Sequence, residues 1–441
     1  MYFDDMSAAP LPVSERLDAI RAAFPTEGLF AEKSWRLSPE AFPLSPTLVR
    51  RLEKLGTSLF RFQRAQNDLY FRSVKGDSAP PWIANYLDAG KPDALLEIAR
   101  VGATRDVLPK IIRPDLILTD DEGLAMSELD SVPGGIGLTG WLGQTYAAFD
   151  PSIGLVGGAE GMLEGFRSIF PENGPVNLTV ADESADYRPE MTWLANQLGE
   201  RFHTSRAEDF QADVEATVYR FFELFDLPNL PTALHQQRRI TPPIKPWLEE
   251  KAWLALFWSR PLRELWRREL RDSHFQKLQE IIPFSWIVDP APLPHHGVIP
   301  RLELADFAEL KTLSQTEREL VLKISGFSEM AWGSRSVNIG SDQSQDEWSA
   351  AVDTAIQQFE AGPWVLQEFH KGALVEHPYF DEHGEVVTMT GRVRLCPYYF
   401  VKNAKDIRLG GVLATIVPAD KKIIHGMSEA IIVPCRVEAP E

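Results

Sequence analysis

The sequence predicts a mixed α/β protein of the α+β kind, and three observations carry that reading. A strand, helix, strand run occupies 176–224, an acidic hairpin occupies 115–129, and β-favouring runs dominate from residue 320 onward with one helix among them.

Taken in order, the N-terminal stretch is rich in Pro, Ser and Ala, after which Leu48, Leu52, Leu55 and Leu59 recur at helical spacing and predict a helix over 46–65. A second helix is expected over 95–101. Two short strands follow, 115–119 and 124–129, joined by the acidic, glycine-ended turn Asp120-Asp121-Glu122-Gly123. A glycine-rich stretch, 131–140, then leaves the second strand.

Strands at 176–182 and 216–224 flank a helix with Met191, Leu194, Leu198 and Phe202 on one face, which predicts a small open α/β unit without a dinucleotide glycine fingerprint. Residues 246–278 read as helical, with Trp247, Trp253, Trp258 and Trp266 as core packing. The proline-rich 283–300, with His295 and His296, reads as a linker. Strands at 320–324, 363–369, 386–399 and 411–417 and a helix at 345–360 complete the chain. The expected divisions are 1–170, with the N-terminal helices and the hairpin; 171–290, the small α/β unit with its helical extension; and 291–441.

Composition narrows the function classes. At 441 residues, 44% apolar and 24% charged, the chain can build two or three cores, and no apolar run is long enough to span a bilayer. The acidic start lacks the order of a secretory signal, so a cytoplasmic protein is expected. A formal charge of -18 with no long basic run argues against nucleic acid, whereas a small anion needs only a local set of donors. Cys396 and Cys435 are too few for a disulfide framework and read as buried thiols, one bridge remaining formally possible.

Four motifs carry chemistry. In the hairpin, Glu128 and Asp130 are two apart and share a strand face, and pairing can bring Asp115 beside them. Three carboxylates on one patch suit a hard cation such as magnesium bridging ATP phosphates; the plain alternative is a solvated acidic hairpin. Lys323 lies within an apolar strand, followed by the small-residue loop Ser325-Gly326 to Gly333-Ser334, which can offer N–H groups to phosphate. The pattern is not a Walker loop, and a snorkelling lysine is its alternative. The apolar strand ending in Gln367, Glu368 and Phe369 can present its edge to adenine, or simply emerge from a core. Arg392 and Arg394 share a strand face and can hold phosphate or carboxylate oxygens, and Lys421-Lys422 forms a later basic pair that completes an anion site or decorates a turn.

Together these motifs resemble the circularly permuted ATP-grasp proteins, in particular the synthetase domain of the glutathionylspermidine synthase family. That family carries Arg-x-Asp on one strand and Glu-x-Asn on the next; Arg113, Asp115, Glu128 and Asp130 occupy those positions, with aspartate in place of asparagine. The loop after Lys323 lacks the family's compact Gly-Arg-Gly form, and no Cys and His pair of an amidase domain precedes the hairpin.

The resemblance implies an ATP-grasp fold with permuted strand order and an ADP-forming carboxylate-amine ligase that works through an acyl phosphate. ATP and magnesium are the implied cofactors, and a small-molecule carboxylate and an amine the implied substrates. It implies Asp115, Glu128 and Asp130 as metal ligands and Arg113 as the acyl-side arginine. Lys323, Gln367, Glu368 and Phe369 follow as nucleotide contacts, and the reading of the residues themselves adds Arg394 as a phosphate contact and Ser325, Gly326, Ser334 and Lys421 at the nucleotide. Two other readings keep the ATP site: a small-molecule kinase and a noncatalytic nucleotide-binding scaffold. A metal site from His370, His377 and His383 is disfavoured, because their spacing fits neither one helix face nor a close strand cluster.

Overall fold

A computed structural model describes residues 9–25, 34–213, 215–331, 335–426 and 428–438. Ser334, expected at the phosphates, lies outside the described residues.

Three sheets organise the described residues. The largest has seven strands and runs Phe42–Leu44, Ile431–Val437, Asp406–Pro418, Val386–Asn403, Ile111–Leu118, Leu124–Asp130, with Leu374–Phe380 also paired to Val386–Asn403. It is antiparallel except where Phe42–Leu44 lies parallel to Ile431–Val437. A four-stranded antiparallel sheet runs Asn338–Ile339, Leu320–Ile324, Trp364–Glu368, Ser285–Ile287. The third, wholly parallel, runs Phe202–Arg206, Val176–Val180, Thr217–Phe221, Ile240–Thr241, the small α/β unit expected from the sequence.

The expected helix over 46–65 runs on as Pro46–Lys75, capped by Ser45, whose side chain accepts from Leu48 N, and ended by Gly76 at φ 65. The polar residues Gln66 and Asn67 broke the apolar spacing, yet both are buried. Asn67 donates to Arg105 O at 2.8 Å and accepts from the Lys245 ammonium at 2.9 Å, so this face meets a polar layer rather than solvent. The helical stretch expected over 246–278 is built from two 3-10 turns, Pro246–Glu249 and Arg260–Leu262, and three short helices, Ala252–Trp258, Arg263–Leu270 and Asp272–Gln279. Pro261 and the positive φ of Arg271 break it. Trp247, Trp253 and Trp266 are core residues as expected.

The stretch 283–300 contains the strand Ser285–Ile287, which pairs with Trp364–Glu368, so it is part of a sheet and not only a linker. Strand alternation in that small sheet sorts its residues cleanly. Leu320, Leu322, Ile324 and Leu366 pack with Trp348 and Val352 of the helix Gln345–Gln357 in a core of their own. Lys323 and Gln367 therefore face the other way, toward the large sheet. No helix among the described residues is long and apolar enough to cross a membrane.

Candidate functional site

A cavity of about 740 Å3 opens between the large and small sheets and reaches the parallel-sheet unit. Arg113, Asp115, Glu128, Asp130, Lys323, Gly326, Gln367, Glu368, Phe369 and Arg394 all line it, although the hairpin and Lys323 are nearly two hundred positions apart in sequence.

The hairpin supplies one wall. Its register pairs Arg113 with Asp130 and Asp115 with Glu128, directly opposed residues that share a face. A bulge at Ser127 sets this register. It also leaves the Ser127 carbonyl turned toward the small sheet, where the Lys323 ammonium donates to it at 2.6 Å. Lys323 further donates to Gln367 Oε1 at 2.9 Å, and Gln367 Nε2 donates to Ser285 Oγ at 3.1 Å. Burial, helped by the nearby Lys251 charge, brings the Lys323 pKa down to about 8.

Each carboxylate has recruited a base. Asp115 pairs with Arg113 at 2.9 Å and with Arg394 at 2.8 Å, and the Cys396 thiol donates to it at 3.4 Å. Burial works against its charge, but the two guanidinium groups outweigh it and hold the carboxyl below its ordinary range. Asp130 pairs with Arg113 at 3.1 Å and accepts from Val132 N at 2.7 Å. Burial and the neighbouring Glu128 charge raise its pKa against the pull of Arg113. Glu128 pairs with Lys251 at 2.8 Å.

Each of the three expected metal carboxylates is thus paired with a base. Among the described residues, no trio of His, Cys, Asp and Glu is arranged to hold an ion. Asp115 is 4% exposed and saturated by two arginines, whereas Glu128 and Asp130 keep 37% and 27% of their side chains open to the cavity. Two reachable carboxylates fit a divalent cation whose other ligands are phosphate oxygens and water.

Two expected nucleotide contacts lie elsewhere. Ser325 is fully buried behind the cavity wall, donating to Glu250 and accepting from Ala252 N at 2.8 Å. Lys421 sits in an exposed turn beside Glu429 at 3.5 Å; its neighbour Lys422 lines the cavity instead, held by Asp342 and by Ser341 Oγ at 3.2 Å. The three histidines do not assemble. His370 lines the cavity, His377 is buried against Ser38 and Glu40 O, and His383 is 76% exposed. Both cysteines are buried free thiols.

No family model matches the sequence, and no curated protein matches it. Among solved structures, a glutathione synthetase-like effector from Globodera pallida, in its apo form, superposes with a TM-score of 0.55 at 11% identity, covering 98% of this chain and 100% of its own. The fold is similar to that of a glutathione synthetase-like protein. At that identity the likeness is one of fold. A candidate gamma-glutamylcysteine synthetase from Methylobacillus flagellatus matches over 79% of this chain and 85% of its own, at 12% identity and a TM-score of 0.39, too low to carry an argument.

Within this glutathione synthetase-like fold, several lining residues escaped the sequence reading: Lys251, Glu249, Tyr187, Glu190 and Tyr398. Glu249 is bound by the fully buried Arg220, and burial raises its pKa despite that partner. The available signal was the run Glu249-Glu250-Lys251 between Trp247 and Trp253, charges set among buried aromatics. A reading of 246–278 as helical, with its tryptophans as core, passes over these charges.

Proposed function

We propose that the protein is an ADP-forming, ATP-dependent carboxylate-amine ligase of the ATP-grasp type with permuted strand order, akin to the glutathionylspermidine synthase synthetase domain. The observation that carries this reading is the meeting of two anion devices in one cavity. The lysine of the small sheet touches the backbone of the arginine and carboxylate hairpin on the large sheet. The similarity to a glutathione synthetase-like fold supports it.

In this reading ATP lies between the sheets, with adenine at the Gln367–Phe369 strand end and phosphates toward Lys323, Lys251 and Gly326. Glu128 and Asp130 would hold Mg2+, which supplies charge neutralisation and positioning of the phosphate oxygens. Lys251 and Lys323 offset phosphate charge as the γ-phosphoryl group passes to a carboxylate oxygen of the substrate. Arg113 and Arg394, fixed by Asp115, stabilise the charge that develops on the acyl side. The amine then attacks the acyl phosphate carbonyl, inorganic phosphate leaves with the bonding pair, and the nitrogen loses its proton. No protein nucleophile is needed, in keeping with a Cys396 thiol whose pKa burial and the Asp115 charge push up to about 12.

The test is product analysis with carboxylate and amine panels. ADP and phosphate are expected only when both substrates are present, apart from slow leakage to water, and hydroxylamine should trap a hydroxamate. AMP with pyrophosphate, or a stable phosphorylated product formed without an amine, would overturn the reading.

A further inference from the structure

Behind the cavity, where the strand Leu320–Ile324 ends, a buried ion pair meets the loop that follows Lys323. Lys91 and Glu250 pair at 2.5 Å with both side chains 1% exposed. The second Glu250 oxygen accepts from Ser325 Oγ, and that hydroxyl accepts from Ala252 N at 2.8 Å. The Ser325 backbone is held as well: its N–H donates to Pro363 O at 2.9 Å and its carbonyl accepts from Lys251 N at 2.9 Å. Gly326 follows so closely that a Cβ there would lie 3.0 Å from Glu249 O and from the Glu250 carboxyl. Phe327 then takes φ 41, a conformation that L residues hold only when their surroundings impose it, with the Lys91 ammonium 5.3 Å from its ring centre.

We propose that Lys91, Glu250 and Ser325 form a clamp that positions the first turn of the loop after Lys323, residues 326–331, for the substrate phosphates. The inference rests on the ligase reading for its purpose but not for its mechanics. None of the three lines the cavity, so they act through Gly326 and Phe327, which do. Two buried charges are costly unless paired and fully bonded, and this pair spends its remaining acceptor on the loop rather than on the core. Lys91 lies between the helices Trp82–Asp88 and Asp93–Ala99, so the clamp also ties the helical layer to the small sheet.

Two variants test it. Ser325→Ala removes the hydroxyl link and leaves the ion pair intact. Lys91→Met/Glu250→Met replaces both charges with apolar chains of similar length, a change that folded proteins commonly tolerate, unlike removal of one partner. In both, amide exchange within residues 326–331 should quicken selectively relative to the rest of the small sheet. ATP should bind about tenfold more weakly, the scale of one lost charge-assisted hydrogen bond. Unchanged exchange at 326–331 in both folded variants overturns the clamp, as does a rise spread evenly over the sheet with ATP affinity unaltered. If exchange responds selectively but the unmodified protein binds no ATP, the clamp stands and the ligase reading falls.

Discussion

Lys323 is 5% exposed and shares its proton donors between Ser127 O and Gln367 Oε1, so its charge is sustained by two neutral acceptors rather than by a direct ion pair. With a folded pKa near 8 against about 10.4 in an unfolded chain, the unfolded state holds the extra proton between those values. Its contribution therefore makes stability rise with pH through that window, and its destabilising effect is fully present below about 8. The phosphate binding proposed for Lys323 runs the other way, since it needs the cation. ATP affinity measured by calorimetry should fall as pH rises from 7 to 9. Lys323→Ala should fold, bind ATP roughly 10- to 100-fold more weakly, and lose that pH slope; unchanged affinity would remove the lysine from the nucleotide site. The acyl-side role proposed for Arg113 belongs to a different moment of the reaction. Arg113→Ala leaves Asp115 its bond to Arg394, so the hairpin should persist. Hydroxamate capture should drop far more than ATP affinity, because an acyl-side arginine acts on charge that appears during transfer. Equal losses in both would make it a ground-state nucleotide ligand.

Among the elements, the helix Pro46–Lys75 braces the strand that bears Arg394. Gly56 lies against the fully buried Tyr399, where a Cβ would approach Cδ1 to 2.5 Å, and the Tyr399 hydroxyl donates to Leu52 O at 2.6 Å. Two effects oppose each other in Gly56→Ala. Helix propensity favours alanine by about 1 kcal/mol, while forcing a methyl into a packed interface costs about 1–3 kcal/mol. The ring is pinned by its own hydrogen bond and cannot retreat, so the clash should win. Denaturant unfolding should show a net loss of up to about 2 kcal/mol; a gain would mean that the helix and sheet slide apart freely. Helical periodicity made the first half of this helix legible through Leu48, Leu52, Leu55 and Leu59. Its continuation was hidden, since Gln66 and Asn67 are buried, and Asn67 is bonded by groups that arrive from elsewhere in the chain.

For the molecule as a whole, the two antiparallel sheets have separate cores and meet across the cavity. A ligand held by both should tie them together. Mg2+ and ATP at about 100 times the dissociation constant should add about 2.7 kcal/mol to stability by mass action. Hydrogen exchange should show protection in the hairpin Ile111–Leu118 and Leu124–Asp130 and in Leu320–Ile324 and Trp364–Glu368 together. Protection confined to one sheet would place the nucleotide outside the shared cavity. Glu249, held by the buried Arg220, and the parallel-sheet unit border the same space.

By itself the sequence determined what local periodicity can encode. Glu128 and Asp130 share a face because strand side chains alternate, Lys323 stands out because it interrupts an apolar strand, and the parallel unit is announced by its strand, helix, strand order. Tertiary structure alone decided which groups answer one another. The bulge at Ser127 sets Asp115 opposite Glu128, the arginines take Asp115 and leave two carboxylates reachable, and Lys251 arrives from a segment that reads simply as helical, with its tryptophans as core. The choice between Lys421 and Lys422 followed the turn that carries them. These outcomes rest on pairings between residues far apart in the chain, and such pairings are set by burial and by the need of each buried charge for a partner, neither of which a linear pattern records.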